Sequence, residues 1–153
     1  SEGWLYLSVV IDLFSRKIIG WALGESLHAT LVADSIAKAS RHLDGGALFH
    51  SDRGCQYTSA QIRSQLGSLG LTQSMSAKGN CYDNAACESF FASLKAEAFP
   101  DGGRFDSKHQ AKLTVFEYLE AFYNRNRRHS SLGNISPEQY LEQHSKKQNQ
   151  QLN

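Results

Sequence analysis

The apolar positions change period along the chain, and each change marks a new element. Trp4-Leu-Tyr-Leu-Ser-Val-Val-Ile11 is dense in β-branched and aromatic residues and closes on Asp12, Ser15 and Arg16, a strand followed by a polar turn. Lys17 to Leu23, containing Ile18, Ile19 and Trp21, then reads as its antiparallel hairpin partner. From Leu27 to His42 the residues Leu31, Ala33, Ile36, Ala37 and Ala39 fit a helix that Gly45-Gly46 stops. Ala47 to Ser51 is a short apolar strand reached through a helix, as a parallel crossover requires, and Asp52 follows at its carboxyl end.

Polar punctuation places the rest. Thr58-Ser-Ala-Gln61 has the spacing of a capping box and predicts a helix to about Leu69, ended by Gly70. Leu71 to Ser74 reads as one more strand, and Met75 to Cys81, with Gly79-Asn80, as a mobile loop. Asn84 is a good N-cap for a helix to about Phe99, where Pro100 and Gly102-Gly103 end it. Ser107-Lys-His-Gln110 repeats the capping-box spacing ahead of Ala111, Val115, Tyr118, Leu119 and Phe122, which recur at helical intervals. Ser136-Pro-Glu-Gln139 opens a final helix with proline at its first position. The tail from Ser145 to Asn153 is polar and predicts no fixed structure. Hairpin, helix, strand, helix, strand and then helices make an α/β layer fold with a mixed sheet.

Composition narrows this to one domain. A chain of 153 residues that is 41% hydrophobic, with eight Phe, six Tyr and two Trp, can build a single core, and no repeat or second domain is evident. It begins with Ser, and strand-like sequence follows at once, so it reads as a segment of a longer chain. No run reaches the roughly 18 apolar residues of a membrane span, so no membrane is expected as a partner and a cytosolic setting is the default. Cys55, Cys81 and Cys87 are odd in number and lack C-x-x-C spacing, which argues for reduced thiols rather than disulfides or zinc. The net charge of +1 speaks against nucleic-acid binding by bulk charge, but three arginines and a histidine crowd into Arg125 to His129.

Asp52 and Glu88 carry the candidate chemistry, with 35 residues between them. Carboxyl ends of strands in open α/β sheets are where ligands sit, and Arg-Gly after Asp52 makes a tight turn that exposes the carboxylate, although a turn aspartate bonding its own backbone fits as well. His50 lies two residues back on the same strand face; it could approach such a site or simply be packed. Glu88 falls in the first turns of its helix, with Cys87, Phe91, Leu94 and Ala98 as the apolar stripe and Lys95 on the same ridge seven residues on. A solvated glutamate and a surface lysine are the plain alternatives. Two carboxylates drawn from separate elements suit divalent metal and phosphoryl transfer. Arg125, Arg127, Arg128 and His129 suit phosphate contacts, and Tyr123 a stacked base, while cations after a helix C-terminus are also favourable in themselves. Asp12, in the hairpin turn, and Asp83, at a helix start, are weaker acidic candidates.

Several motifs in one order then carry a resemblance: Gly3 to Trp21; His50-Ser-Asp-Arg-Gly54 through Gln56-Tyr-Thr58; Ser74-Met-Ser76; Lys78-Gly-Asn-Cys-Tyr-Asp-Asn-Ala85; Glu88-Ser-Phe-Phe91 with Leu94-Lys95; Tyr123-Asn124 with Arg127-Arg-His129; and Ser136-Pro137. Over about Gly3 to Tyr140 the chain resembles the catalytic core of bacterial insertion-sequence transposases related to retroviral integrases. The resemblance implies a ribonuclease H-like mixed sheet flanked by helices, with residues 1–144 as the catalytic core and 145–153 as the tail. It implies an Asp, Asp, 35-residue, Glu site for Mg²⁺ or Mn²⁺, in which Asp52 matches the second aspartate and Glu88 the glutamate. The first aspartate and its strand are expected just before Gly3, so the 153 residues alone are expected to lack turnover. Implied partners are DNA, both transposon ends and target, and further copies of the chain on that DNA, in the bacterial cytoplasm with the nucleoid. Lys95, Arg125, Arg127, Arg128 and His129 would contact the DNA. A truncated or decayed copy that only binds DNA or other copies is the alternative, and a hydrolytic nuclease of the same fold a third reading.

Overall fold

A computed structural model describes residues 2–43, 46–51, 56–75 and 85–152. These divide into two compact units, one formed by residues 1–10 and 19–91 and the other by residues 11–18 and 92–153. Asp52, Cys55, Cys81, Asp83, the N-cap expected at Asn84 and most of the loop expected over 75–81 lie outside the described residues.

In the first unit, strands β1 (Tyr6–Ile11) and β2 (Ile18–Gly24) pair as a two-stranded sheet. A connection of only six residues permits an antiparallel hairpin and no crossover. Helix α1 (Ala29–Ala39) follows and buries Leu31, Val32, Ser35, Ile36 and Ala39. Its inward face therefore includes Val32 and Ser35, where apolarity alone suggests Ala33 and Ala37. Ser35 can be buried because both of its hydrogen-bonding needs are met: its hydroxyl donates to the Val32 carbonyl at 2.8 Å and lies 2.8 Å from the Ser8 hydroxyl on β1.

Strand β3 (Leu48–Ser51) and strand β4 (Thr72–Met75) pair in parallel, with His50 opposite Ser74 and Ser51 opposite Met75. Helix α2 (Ala60–Ser68) forms the crossover between them. The expected mix of antiparallel and parallel pairing is present, as two separate two-stranded sheets among the described residues. The N-cap of α2 is Ser59, one residue later than the spacing at Thr58 suggests, and its hydroxyl accepts from the Ile62 amide at 3.3 Å. Val32 and Ile36 meet Ile62, Leu66 and Leu71 in one buried cluster, with Val10, Phe49 and Tyr57 packed against it. The Gln65 amide reinforces this packing by donating to the Ala33 carbonyl at 2.8 Å.

The second unit holds the hairpin turn and most of the C-terminal helices. Asp12 organises that turn, its carboxylate accepting from the Ser15 hydroxyl at 2.6 Å and the Phe14 amide at 3.3 Å, while Arg16 adopts a left-handed φ of 62°. Asp12 is thus a turn residue. Helix α3 (Ala85–Ala98) begins in the first unit and ends in this one. Helix α4 (Lys108–Phe116) is capped by Ser107, which accepts from the Gln110 amide at 3.1 Å, and widens into a π-helical segment over Glu117–Tyr123. The wide turns shift the buried register. Tyr118, Leu119 and Tyr123 are buried, and Phe122, expected inside, is 40% exposed.

Helix α5 (Pro137–Leu152) opens on a complete capping box, in which Gln139 donates its amide to the Ser136 hydroxyl at 3.3 Å and accepts from the Ser136 amide at 3.0 Å. It continues through Ser145 to Leu152, where the polar composition predicted no fixed structure. Nothing in Lys-Lys-Gln-Asn-Gln-Gln breaks a helix, and Lys and Gln are good helix formers. No helix among the described residues is long and apolar enough to cross a membrane.

Gly20 is the position in β2 where α1 comes nearest. A Cβ there would lie 2.2 Å from the Ser35 carbonyl oxygen and 2.7 Å from the Ala39 amide nitrogen, both backbone atoms that cannot swing away. Gly20→Ala should therefore lower unfolding stability by about 3 kcal/mol, at the upper end of overpacking costs. Denaturant unfolding of the two chains measures the difference, and an unchanged midpoint would refute this packing.

Candidate active site and nucleic-acid interface

Helix α3 presents two different sides. At about 100° per residue Glu88 and Lys95 lie on one ridge, while Glu97 is turned about 180° from Glu88. Glu88 sits in the first turn, where the helix dipole favours an anion. Both Glu88 and Lys95 are exposed, and neither has a side-chain hydrogen bond or ion pair among the described residues. The buried contacts of the helix are Phe90 and Leu94, each 1% exposed. Phe90 thus takes the place that periodicity assigned to Phe91, which is half-buried and meets Phe90 edge-to-face at 5.2 Å. Cys87, also half-buried, forms no disulfide among the described residues.

Strand β3 carries the chain to Ser51, buried, and Asp52 follows directly beyond the described strand. His50 is half-buried, with Nδ1 3.1 Å from the Ser74 hydroxyl of β4. Its Nε2 is buried without a hydrogen-bond partner among the described residues. The histidine is thereby fixed in the sheet, tied across the parallel pair at the register position where the two strands meet.

On its far side α3 is fastened by charge. Arg127 grips Glu97 with its guanidinium, Nε at 3.0 and 2.9 Å from the two carboxylate oxygens and Nη2 at 2.8 Å from Oε1. The same guanidinium donates to the Ser93 hydroxyl one turn earlier at 3.1 Å, and the Tyr118 hydroxyl donates to Glu97 at 2.6 Å. The Arg127 bond, helped by Tyr118, holds the Glu97 carboxyl below its ordinary value although burial pushes the other way. Burial and the neighbouring carboxylate raise the Tyr118 hydroxyl, and the Glu97 bond raises Arg127.

The cationic cluster separates into distinct roles. Arg127 is committed to Glu97 and lies over the Tyr123 ring at 5.7 Å. Tyr123 is only 5% exposed and meets His129 edge-to-face at 5.0 Å, so its ring is not presented for a base. His129 is half-buried, and burial first, then the charges of Arg127 and Arg16, depress its pKa below 6.5. Burial thus disfavours the charged form of its ring. Its amide donates to the Ile135 carbonyl at 3.0 Å. Arg128 is exposed, and Arg125 is 66% exposed with only a long contact of 4.0 Å to Glu138. Arg125 and Arg128 are the arginines that face solvent.

Asn124 is the residue the sequence gave least reason to single out for its role. Buried, it accepts from the Ile18 amide at 2.9 Å and donates to the Ile18 carbonyl at 3.0 Å, while its own carbonyl accepts from the Glu138 amide at 3.0 Å. One carboxamide satisfies both backbone groups of the first β2 residue and its main chain receives the start of α5. Glu97 and Ser93 carry no sequence signal, and Tyr118 only that of a helix position, because their partners are distant in sequence.

No group of three His, Cys, Asp or Glu side chains is gathered for a metal among the described residues, Asp52 lying outside them. What Glu88 contributes is one uncommitted carboxylate, the hard oxygen donor that Mg²⁺ or Mn²⁺ takes.

Arg127→Ala should destabilise the protein by about 1 kcal/mol, since it leaves the partly exposed Glu97 carboxylate with Tyr118 but without its guanidinium. Arg127→Lys should recover only part of that, because an ammonium cannot reproduce the fork. Denaturant unfolding of the three proteins tests the order. Stability should also fall with acidification. The depressed His129 pKa stabilises the fold fully above the ordinary 6.5 and is lost as pH falls through the folded value. The depressed Glu97 pKa does the same below its ordinary 4.5. In His129→Gln the first of these two slopes should vanish from a plot of unfolding free energy against pH; its persistence would assign it to another group.

Comparison with known proteins agrees with this architecture. Residues 1–81 match one family model described as an integrase core domain, and residues 69–137 match a second of the same description. Over 145 residues the chain is 50% identical to the transposase InsF for insertion sequence IS3fB of Escherichia coli strain K12, covering 94% of this chain and 50% of that protein. It is 43% identical to the transposase for insertion sequence element IS904 of Lactococcus lactis, covering 92% of this chain and 56% of that protein. The chain thus spans about half the length of these relatives. Among solved structures, the simian T-cell lymphotropic virus intasome in complex with PP2A regulatory subunit B56 gamma superposes with a TM-score of 0.67 at 16% identity, over 90% of this chain and 48% of that one. The catalytic core domain of BIV integrase superposes with a TM-score of 0.65 at 21% identity, over 95% and 92%. The fold is the ribonuclease H-like fold of these integrase cores, and the chain belongs to the integrase core domain family.

Proposed function

We propose that residues 1–144 are the catalytic core of an insertion-sequence transposase that cleaves and joins DNA strands with two divalent metal ions, Mg²⁺ or Mn²⁺. The observation that supports this most is the division of labour on α3. Glu97 is bonded to Arg127 and Tyr118, whereas Glu88 is exposed, with no side-chain hydrogen bond or ion pair among the described residues, on the ridge it shares with Lys95.

Asp52 and Glu88 would hold the metal. Bound there, it would supply Lewis-acid stabilisation of a DNA phosphate and a lowered pKa for the attacking water or 3′-hydroxyl. The protein's own contribution is placement. β3, tied to β4 through His50 and Ser74, would lead into Asp52, which follows it in sequence, and Glu88 stands in the first turn of α3, where the helix dipole favours an anion. Lys95 stands two turns, about 10 Å, along the ridge from Glu88, suited to a phosphate of the same strand. Arg125 and Arg128 face solvent and serve as backbone contacts, fixing register rather than reading sequence. Arg127 acts indirectly, by holding Glu97, and His129 by packing on Tyr123.

The DNA partners in this reading are the transposon ends and the target, handled by several copies of the chain in the bacterial cytoplasm with the nucleoid. Asp12 is engaged in the hairpin turn, so this reading does not use it as the family's first aspartate.

In a parent chain that includes the upstream sequence, Glu88→Gln should reduce strand transfer by about a thousandfold, the cost of losing several kcal/mol of metal-held stabilisation. Binding to end-sequence DNA should persist. An oligonucleotide joining assay with Mg²⁺ measures the first and a gel-shift titration the second. Joining that survives the substitution removes Glu88 from the site. Joining by the 153-residue chain alone removes the need for an upstream aspartate.

A further inference from the structure

The turn between β1 and β2 carries Leu13 and Phe14 where a tight turn ordinarily holds polar residues. Leu13 is 59% and Phe14 50% exposed. The position is fixed all the same, because the Asp12 carboxylate accepts from the Phe14 amide and the Ser15 hydroxyl. Within the same compact unit the Phe14 ring leans on α5. Its centroid is 5.2 Å from that of Tyr140, tilted by 59°, and 4.7 Å from that of His144, edge to face at 77°. Tyr140 and His144 lie nearly parallel, 22° and 5.8 Å apart, and both are half-buried. The three rings make one partly exposed aromatic surface, set on elements other than the helix of Glu88.

Cations bracket these rings. At the start of α5 the Glu138 carboxylate is shared between Lys17 at 3.7 Å and Arg125 at 4.0 Å, two cations on one anion. Lys147 lies on the ridge of Tyr140 and His144, about 10 Å beyond Tyr140 along the helix. It is exposed and has no side-chain hydrogen bond or ion pair among the described residues. The carboxylates are turned elsewhere: Glu142 stands about 200° round the helix from Tyr140, and Asp12 is occupied inside the turn.

We propose that Phe14, Tyr140 and His144 form a stacking platform for an unpaired base of a DNA strand, with Lys147 on one side and Lys17 and Arg125 on the other holding its phosphates. Every base has a π-face, and cations interleaved with aromatic rings take single strands with little regard for sequence. In a duplex those faces are already stacked on one another, so the platform selects unpaired strand. Rings fixed in advance lose little freedom on binding. Other occupants fit less well. An apolar protein segment would cover the rings but strip water from cations that it cannot pair, and a second copy would set cations against cations. The choice of DNA rests on the transposase reading; the stacking and the phosphate contacts do not.

Fluorescence anisotropy of a labelled oligothymidylate of about ten nucleotides, titrated with the 153-residue chain in EDTA, tests this without any metal. The single strand should bind at least about tenfold more tightly than a duplex of the same length. Phe14→Leu keeps the apolar cover but removes the π-face, and should weaken binding by about fivefold or more. Phe14→Trp should bind at least as tightly as the parent chain. Lys147→Gln, at an exposed position, should lower the slope of log affinity against log salt by about 0.7. Circular dichroism melting of each variant controls for folding. Duplex bound as tightly as single strand overturns the proposal, as does Phe14→Leu that binds like the parent or Phe14→Trp that binds no better than Phe14→Leu. An unchanged salt slope removes Lys147 from the site, and tighter binding of an oligouridylate overturns the choice of DNA. Made in EDTA, these measurements bear on the rings alone and leave the metal-site reading to the joining assay.

Discussion

The Glu97 carboxylate is the point on which the C-terminal half of the structure turns. It receives a guanidinium fork from Arg127 and a hydroxyl from Tyr118, and through Arg127 it is linked to Ser93 one turn back on its own helix. Three places in the chain, α3, Tyr118 and Arg127, are joined around a single anion. Partial burial makes each bond stronger than it would be in water and makes the loss of any partner costly. The same junction explains the widened helix. A regular α-helix would bring Phe122 to the inner face; the π turns bring Tyr118 and Tyr123 inward together, their rings 5.8 Å apart, with Arg127 donating its amide to the Phe122 carbonyl five residues back.

This arrangement gives α3 its functional asymmetry. One side of the helix is spent on stability, through Leu94, Ser93 and Glu97, and the opposite ridge is left with Glu88 and Lys95 facing solvent. A carboxylate proposed to hold metal, as Glu88 is, must be fixed in position yet free of internal partners. Building both kinds on one helix meets that demand, because the bonded carboxylate immobilises the backbone that carries the free one. The Tyr123, Asn124, Arg127 and His129 group works in the same way. Its members clamp Ile18, hold Glu97 and fill space against one another, and only Arg125 and Arg128 are left to meet a ligand.

Much of this was legible in the sequence where the cause is local. Ser107 and Ser136 sit at their helix starts because a hydroxyl three residues ahead of an amide can cap it, and the spacing shows that directly. The hairpin, the parallel pair and the crossover helix follow from period and connection length. What depended on distant partners was not legible. The arginine cluster reads as a set of cations for phosphate, and nothing near it in the chain reveals that Arg127 belongs to Glu97 or that burial disfavours the charged form of His129. Phe90 and Phe91 are neighbours of equal apolarity, and only packing decides that Phe90 goes inside. The helical tail differs for another reason: its lack of hydrophobic residues predicts no packing, but α5, once nucleated by its capping box, has nothing in Ser145 to Leu152 to stop it. The pair Asp52 and Glu88 is proposed from spacing and motif together, and Glu88 has no side-chain hydrogen bond or ion pair among the described residues.

The central claim is that Asp52 and Glu88 share a divalent metal. Anomalous diffraction from crystals of the chain grown with Mn²⁺ tests it most directly, since Mn²⁺ takes the same oxygen ligands as Mg²⁺ and can be located without ambiguity. The account predicts an anomalous peak within ligand distance of both carboxylates. Manganese bound elsewhere, with the two carboxylates pointing apart, would contradict it.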